Sequence, residues 1–228
     1  MIRLYLFAEG QTEQTFASNL MTPHLANYGV YLNKPVLISH GRKKGKIHRG
    51  GGQNYAAMKQ DILRFLKQDK SRDVYFTTML DLYALPPEFP GFMAAQTYRN
   101  TPYDQVAFLE KSFAEDIGDD RFLPHLQLYE YEAYLFCEPN HFLSIEPGGT
   151  KGVETLQTIA GQYESPELIN DAPQTAPSKR IIAEFPKYKK AKSVWGPLVA
   201  QHIGLPVIRQ QCPHFNKWLS NLELLGQV

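Results

Sequence analysis

Hydrophobic positions along this chain follow two rhythms. IRLYLFA, residues 2–8, is an apolar run broken only by Arg3, as expected of a strand buried on both faces. TEQTFASNLMTPHLANY, 12–28, instead spaces Phe16, Leu20 and Leu25 along one helical face. Thr12 is placed to cap that helix, and Pro23 to kink or split it. VYLNKPVLI, 30–38, reads as a second strand, with Pro35 arguing for a sheet edge. Residues 54–69 form a helix with Met58, Ile62, Phe65 and Leu66 inward. DVYFTTML, 73–80, is a third strand, and 84–102 is proline-rich and irregular. An amphipathic helix over 103–117 centres on Val106, Leu109 and Phe113. HLQLY, 125–129, is a fourth strand running into EYEAYLF.

Strands separated by single helices call for parallel crossovers, hence an α/β fold with a parallel sheet flanked by helices. The last third carries helical stretches near 153–162, 178–185, 195–203 and 214–225 and little strand signal. The expected organisation is an α/β core over 1–145 and a helical C-terminal cap over 146–228, packed as one compact unit.

Composition narrows the function classes. The chain has 228 residues, 43% hydrophobic and 21% charged, with a net charge of +1. No global field draws it to nucleic acid, so any basic surface is local. Cys137 and Cys212 are far apart in apolar surroundings and read as reduced, buried thiols. Arg3 and Glu9 interrupt the opening apolar run, which therefore makes no signal peptide, and no stretch reaches membrane-spanning length. A cytoplasmic protein with no membrane partner is expected.

The candidate chemistry lies where strands stop. Glu9 follows the first strand, Asp81 the third, and Glu130 and Glu132 the fourth. In a parallel sheet these carboxyl ends share one edge, and ligands bind outside that edge. Gathered carboxylates raise one another's pKa unless a cation sits between them. An oxygen-only donor set suits Mg²⁺ or Mn²⁺, ions that activate water and neutralise developing phosphate charge. Glu9, Asp81 and Glu132 are the first choice as catalytic and metal-holding residues, with Glu13 and Glu130 second. Taken singly, such acids also serve as helix caps or sit in solvent, and Glu13 suits a first-turn acid favoured by the helix dipole.

Two segments are candidates for holding phosphate. GRKKGKIHRGGGQ, 41–53, carries Arg42, Lys43, Lys44, Lys46 and Arg49 and then three glycines before a helix. Glycine backbone N–H groups and a helix N-terminus favour an anion, and the cations suit nucleic-acid phosphates. It is no Walker motif, since GxxxxGK[ST] is absent. INDAPQTAPSKRI, 169–181, places Lys179 and Arg180 in a helical first turn, against the dipole. An anionic partner explains them, and so does pairing with Asp171 or the acidic edge. KYKKAK, 187–192, reads first as a solvated face and second, with Tyr188 among its lysines, as a track for a nucleic-acid backbone. His125, before LQLY, reads as structural. His214, in CPHF beside Cys212, lacks the further ligands at suitable spacing that a zinc site needs.

FAEGQTEQTF (7–16) resembles the opening of the Toprim fold, where a strand ends on Glu-Gly and the glutamate is a general acid/base or metal-site residue. With TTMLDLYALPPEFPG (77–91), LQLYEYEAYLF (126–136), INDAPQTAPSKRI (169–181) and GPLVAQHIGLPVIRQQCPHFNKWL (196–219), the chain resembles the bacterial domain-of-unknown-function family 4276, itself similar to RloB-like and other Toprim-like proteins. That resemblance implies a Toprim-like sheet and a Mg²⁺-dependent nuclease or phosphodiesterase. It also implies a phage-defence setting with an ATPase partner. Glu132 in YEAYL resembles the acid of the relatives' Phe-Glu-x-Trp-Leu motif. The usual Asp-x-Asp after the third strand reads Asp81-Leu82-Tyr83 here, so its second acid is missing. That departure favours a second reading, a Toprim-shaped module that binds nucleic acid or docks on the ATPase without catalysis. A small-nucleotide enzyme is a third.

Overall fold

The computed structural model describes residues 1–227 apart from 44–45, 50–53 and 170–173; for 39–43 and 46–49 only the backbone is described. The elements in chain order are β1 (Ile2–Ala8), α1 (Gln11–Phe16), α2 (Thr22–Ala26), β2 (Val30–Leu32), β3 (Val36–Leu37), β4 (Ser39–Lys43), β5 (Lys46–Arg49), α3 (Tyr55–Gln68) and β6 (Val74–Asp81). They continue with α4 (Phe92–Ala95), α5 (Pro102–Ile117), β7 (Phe122–Leu123), β8 (Leu126–Gln127), α6 (Thr150–Ala160), α7 (Pro177–Glu184), α8 (Tyr188–Ile203), α9 (Leu205–Gln211) and α10 (Pro213–Leu224).

The main sheet has six strands, and every pairing in it is parallel. β1 lies beside β6, with Arg3–Ala8 opposite Val74–Met79. The outer neighbours are each broken once. β2 and β3 follow one another along β1, separated by the segment holding Pro35; β7 and β8 follow one another along β6. Proline donates no ladder hydrogen bond, so Pro35 sits on an edge as the sequence indicates.

Alternate residues of β1 feed two cores, which is why its sequence is apolar throughout. Leu4, Leu6 and Ala8 join Phe16, Leu20 and the helical last third, including Phe215, Leu219 and Leu222. Phe7 joins Phe76, Met58 and Ile62 of α3, and Val106, Leu109 and Phe113 of α5. Helices therefore cover both faces, the α/β arrangement expected.

Several local readings need correction. Thr12 does not cap α1: Gly10 takes that position, and its N–H donates to Glu13 Oε2 at 2.8 Å. The helix containing Pro23 stays helical throughout, with a π turn over Ala17–Met21 leading into α2, whose first turn holds Pro23. The basic segment that follows the second strand contains an antiparallel hairpin, β4–β5. Residues 84–102 hold the short helix α4, entered through Gly91 at φ 75°, a left-handed geometry that glycine adopts without strain. β8 is shorter than expected because Tyr129 turns to φ 61°, and a 3₁₀ helix begins at Tyr131. α8 starts at Tyr188, whose ring is fully buried, so KYKKAK belongs to a packed helix. α9 went unread.

Candidate functional site

Parallel strands bring the predicted acids to one edge. β1 runs on past Ala8, with Glu9 N–H donating to the Met79 carbonyl at 3.1 Å, so Glu9 stays beside the end of β6. Glu9 Oε2 accepts the backbone N–H of Asp81 at 2.9 Å. Asp81 is the last residue of β6, and its Oδ1 accepts the Tyr131 N–H at 3.0 Å. That bond holds the first residue of the 3₁₀ helix carrying Glu132. Glu132 is buried; its Oε1 lies 3.0 Å from Lys192 Nζ and accepts from the Tyr188 hydroxyl at 3.3 Å.

Glu130 is turned to another task. Its Oε2 accepts the Ser178 backbone N–H at 2.7 Å and its Oε1 the Ser178 hydroxyl at 2.9 Å. Glu130 thus caps α7, where carboxylates are favoured by the unpaired N–H groups and the dipole. The 3₁₀ start at Tyr131 separates the two acids, sending Glu130 to α7 and Glu132 towards α8.

These carboxyl groups feel one another. Burial raises Glu13 to about 8, with the charges of Glu9 and Glu132 adding to it. Burial raises Glu9, and Glu132 and Glu130 add to the effect against the Asp81 N–H. Burial holds Asp81 well above the ordinary carboxylate range, reinforced by Glu9, Glu13, Glu132 and Glu130. Burial also raises Glu132, partly offset by the Lys192 ammonium. Desolvation alone would lower Lys192, but Glu132 outweighs it and leaves the lysine more basic than usual. Carboxyl groups drawn out of water beside one another favour uptake of protons or of a cation, and Lys192 supplies one such charge.

The phosphate candidates divide differently. Lys44 lies outside the described residues, as do the side chains of Arg42, Lys43, Lys46 and Arg49. Their backbone forms β4 and β5, with Arg42 opposite Ile47 and Lys43 opposite Lys46. Arg180 is turned back on its own neighbourhood, its Nε donating to the Thr175 carbonyl at 2.6 Å and a terminal nitrogen to the Tyr163 hydroxyl at 3.2 Å. Lys179 is exposed. A cavity of about 800 Å³ is lined by Tyr103, Cys137, Glu138, Gln157 and Gln211 among others, and none of the strand-end acids lines it. No helix among the described residues is long and apolar enough to cross a membrane.

Residues 8–223 match the family described as Domain of unknown function (DUF4276). The chain belongs to that family. The DUF4276 match runs from the end of β1 through α10 and so includes every strand-end acid. No curated protein and no solved structure matches the chain.

Three residues that matter were missed. Lys192 sat in a segment read as a solvated face. Glu110 lies on α5 four residues after Val106 and three before Phe113, an acid on the apolar face of an amphipathic helix, which was its signal. Its Oε1 is 3.0 Å from His214 Nε2 and 3.5 Å from His125 Nδ1. Glu167 is fully buried and accepts the backbone N–H groups of His214 at 3.0 Å and Phe215 at 2.9 Å, capping α10 as Glu130 caps α7.

Proposed function

We propose that this protein is a Toprim-like, metal-dependent phosphodiesterase or nuclease whose working edge is formed by Glu9, Asp81 and Glu132. The observation that carries the reading is the gathering of Glu9, Asp81, Glu13 and Glu132 about the carboxyl ends of parallel strands, linked by the Glu9–Asp81 and Asp81–Tyr131 hydrogen bonds, where burial first and mutual repulsion second raise their proton affinity. An oxygen-only set of carboxylates suits a hard divalent cation such as Mg²⁺ or Mn²⁺; among the described residues only Glu110, His125 and His214 already place three donor atoms within 4.8 Å of one another, so the edge carboxylates would have to draw together around the ion. Glu9, Asp81 and Glu132 would hold it, with Glu13 beside them; Glu130 fits less well because Ser178 engages both of its oxygens. When bound, the ion would activate water and offset developing phosphate charge. Alternatively Glu9, positioned by the Asp81 N–H and more basic than an exposed glutamate, would be the proton acceptor and leave the ion to Asp81 and Glu132. Basic residues of the β4–β5 hairpin and Lys179 would contact phosphates of a nucleic acid or nucleotide. The phage-defence setting and the ATPase partner rest on the resemblance to RloB-like proteins.

A second reading is supported by Lys192. Its ammonium already faces Glu132 at 3.0 Å, and Tyr83 stands where a second aspartate is usual. A Toprim-shaped module that binds nucleic acid or an ATPase without catalysis is consistent with both.

Calorimetric titration with Mg²⁺ and Mn²⁺ separates the two. The enzyme reading expects micromolar-to-millimolar binding by wild type, its loss in the Glu9→Gln, Asp81→Asn double variant, and Mn²⁺-dependent cleavage of DNA or RNA by wild type alone. Absence of binding and of cleavage, with nucleic-acid or ATPase binding retained, selects the module.

A further inference from the structure

Beside the sheet, about two residues or ~7 Å back from the acidic edge along β8, a second group of titratable side chains has a different chemistry. Glu110 comes from α5, His125 from the residue preceding β8, and His214 from the first turn of α10. One donor atom from each lies within 4.8 Å of the other two. We propose that Glu110, His125 and His214 form a binding site for a first-row transition-metal dication, Zn²⁺ by its donor set, with the Leu126 carbonyl oxygen as fourth donor.

Distances, burial and unmet bonding capacity support the assignment independently. A tetrahedral ion with bonds of about 2.0–2.1 Å sets its donors about 3.3–3.4 Å apart. Glu110 Oε1 lies 3.0 Å from His214 Nε2 and 3.5 Å from His125 Nδ1, and His214 Nε2 lies 3.1 Å from the Leu126 oxygen. His125 is 0% exposed, and neither of its ring nitrogens has a hydrogen-bond partner among the described residues. Buried polar atoms are seldom left so, and a metal bond is one way to satisfy an imidazole nitrogen. Two imidazoles and one carboxylate form a mixed N/O set suited to Zn²⁺ and unlike the oxygen-only edge.

The surroundings hold the ligands in place. Trp218 stacks on His125 with centroids 4.1 Å apart and planes 5° apart, and donates to Thr77 Oγ1 at 2.9 Å. Glu110 Oε1 also accepts the Leu126 N–H at 2.9 Å. Without the ion, His214 Nε2 faces Glu110 Oε1 at 3.0 Å and the Leu126 carbonyl oxygen at 3.1 Å, and must be free of a proton to coordinate. Metal-bound imidazoles are neutral, so binding competes with protons and weakens at low pH. The ion would tie α5, β8 and α10 together, three elements far apart in sequence. With one position filled by a backbone carbonyl and His125 fully buried, the site is structural.

The test is titration of the full chain, freed of metal with chelator, with Zn²⁺ and with Co²⁺. One equivalent should bind, release protons, and raise Tm by roughly 5–10 °C at a hundredfold excess over Kd. Co²⁺ should show the intense visible bands of tetrahedral coordination. His125→Gln and His214→Gln should each weaken Zn²⁺ binding at least ~100-fold, while the Glu9→Gln, Asp81→Asn variant binds as wild type. His125→Gln removes no hydrogen bond, so it decides the matter if His214→Gln fails to fold. Zn²⁺ binding that survives both histidine substitutions, or no stoichiometric binding by wild type, overturns the proposal. Loss of Mg²⁺ binding at the acidic edge would leave it untouched.

Discussion

Glu9 Oε2 accepts the backbone N–H of Asp81 at 2.9 Å, tying the end of one central strand to the end of the next. The bond serves a structural purpose and holds a carboxyl group beside Asp81, Glu13 and Glu132. Glu9→Gln separates the two, since the amide oxygen can still accept that N–H. In chelator at pH 8 the variant should melt above wild type because a repelling charge is gone. In the same protein Mg²⁺ should no longer raise Tm. Thermal melts with and without Mg²⁺ check both; a variant that melts well below wild type in chelator would show that the charge itself is needed for folding.

Glu13 should contribute to a loss of stability on the alkaline side of the metal-free curve, together with Glu9, Asp81 and Glu132. Its folded pKa is raised to about 8. The folded state therefore holds a proton that the unfolded chain releases near pH 4.5, and stability from this group is lost as pH rises from there through about 8. The loss approaches roughly 3–5 kcal/mol at most. Glu13→Gln, which retains an acceptor for the Gly10 N–H, should flatten the fall. Tm measured from pH 5 to 8.5 on both proteins reads it directly.

Glu130 is predicted to act through α7. Replacing it with alanine leaves the Ser178 N–H and hydroxyl buried without acceptors, at a cost of about 2–4 kcal/mol. Glu130→Gln keeps an amide oxygen for one of them and should cost about half as much. Equilibrium urea unfolding gives both numbers. A cost for Glu130→Ala below about 0.5 kcal/mol would mean that water replaces the cap.

What was legible in the sequence follows from what local pattern encodes. The doubly apolar run of β1 and the edge proline of the second strand read correctly because periodicity and proline chemistry act locally. The convergence of Glu9 and Asp81 on one edge followed from parallel topology alone. The partners of the acids were not legible. Glu130 and Glu167 look like any other glutamates until folding sets them against the N-termini of α7 and α10, 48 and 47 positions away. Glu110 and His214 are 104 positions apart. Lys192 was hidden by its own neighbours: Lys189 and Lys190 are exposed, and only the buried Tyr188 ring reveals which face of the helix turns inward.

His125 should make the metal-free protein acid-sensitive. Burial lowers its pKa to about 4 against the pull of Glu110, and the His214 charge adds to the lowering. The unfolded chain takes up a proton near pH 6.5 that the folded state refuses, so stability from His125 is present above 6.5 and is lost as pH falls towards about 4. His214 runs the other way. Burial alone would lower it, but Glu110 outweighs that and holds it above 6.5, so its contribution is present in acid and lost as pH rises through the folded pKa. Glu110 is held down to about 2, despite its own burial, by the nearby His125 ring and by its bond to His214, and it stays charged throughout. Histidine NMR titration should show one ring neutral down to about pH 4 and another still protonated above 6.5. Two rings titrating together near 6.5 would contradict the arrangement.

Lys192→Met decides whether the lysine completes the acidic edge or competes with an added ion for it. The pair with Glu132 at 3.0 Å is buried on the glutamate side and partly exposed on the lysine side. Breaking it should cost about 1–3 kcal/mol at pH 7 in chelator, between the values for exposed and buried pairs. The cost should shrink as pH falls, because protonated Glu132 no longer needs a counter-charge. If Lys192 occupies the place that an added cation would take, the variant should bind Mg²⁺ more tightly, by ~10-fold for each ~1.4 kcal/mol of competition removed. If Lys192 instead orients Glu132 for the ion, affinity should drop. Calorimetry on the single variant gives the sign. Tighter binding favours an edge held in reserve by its lysine; weaker binding makes Lys192 a positioning residue for a working metal site.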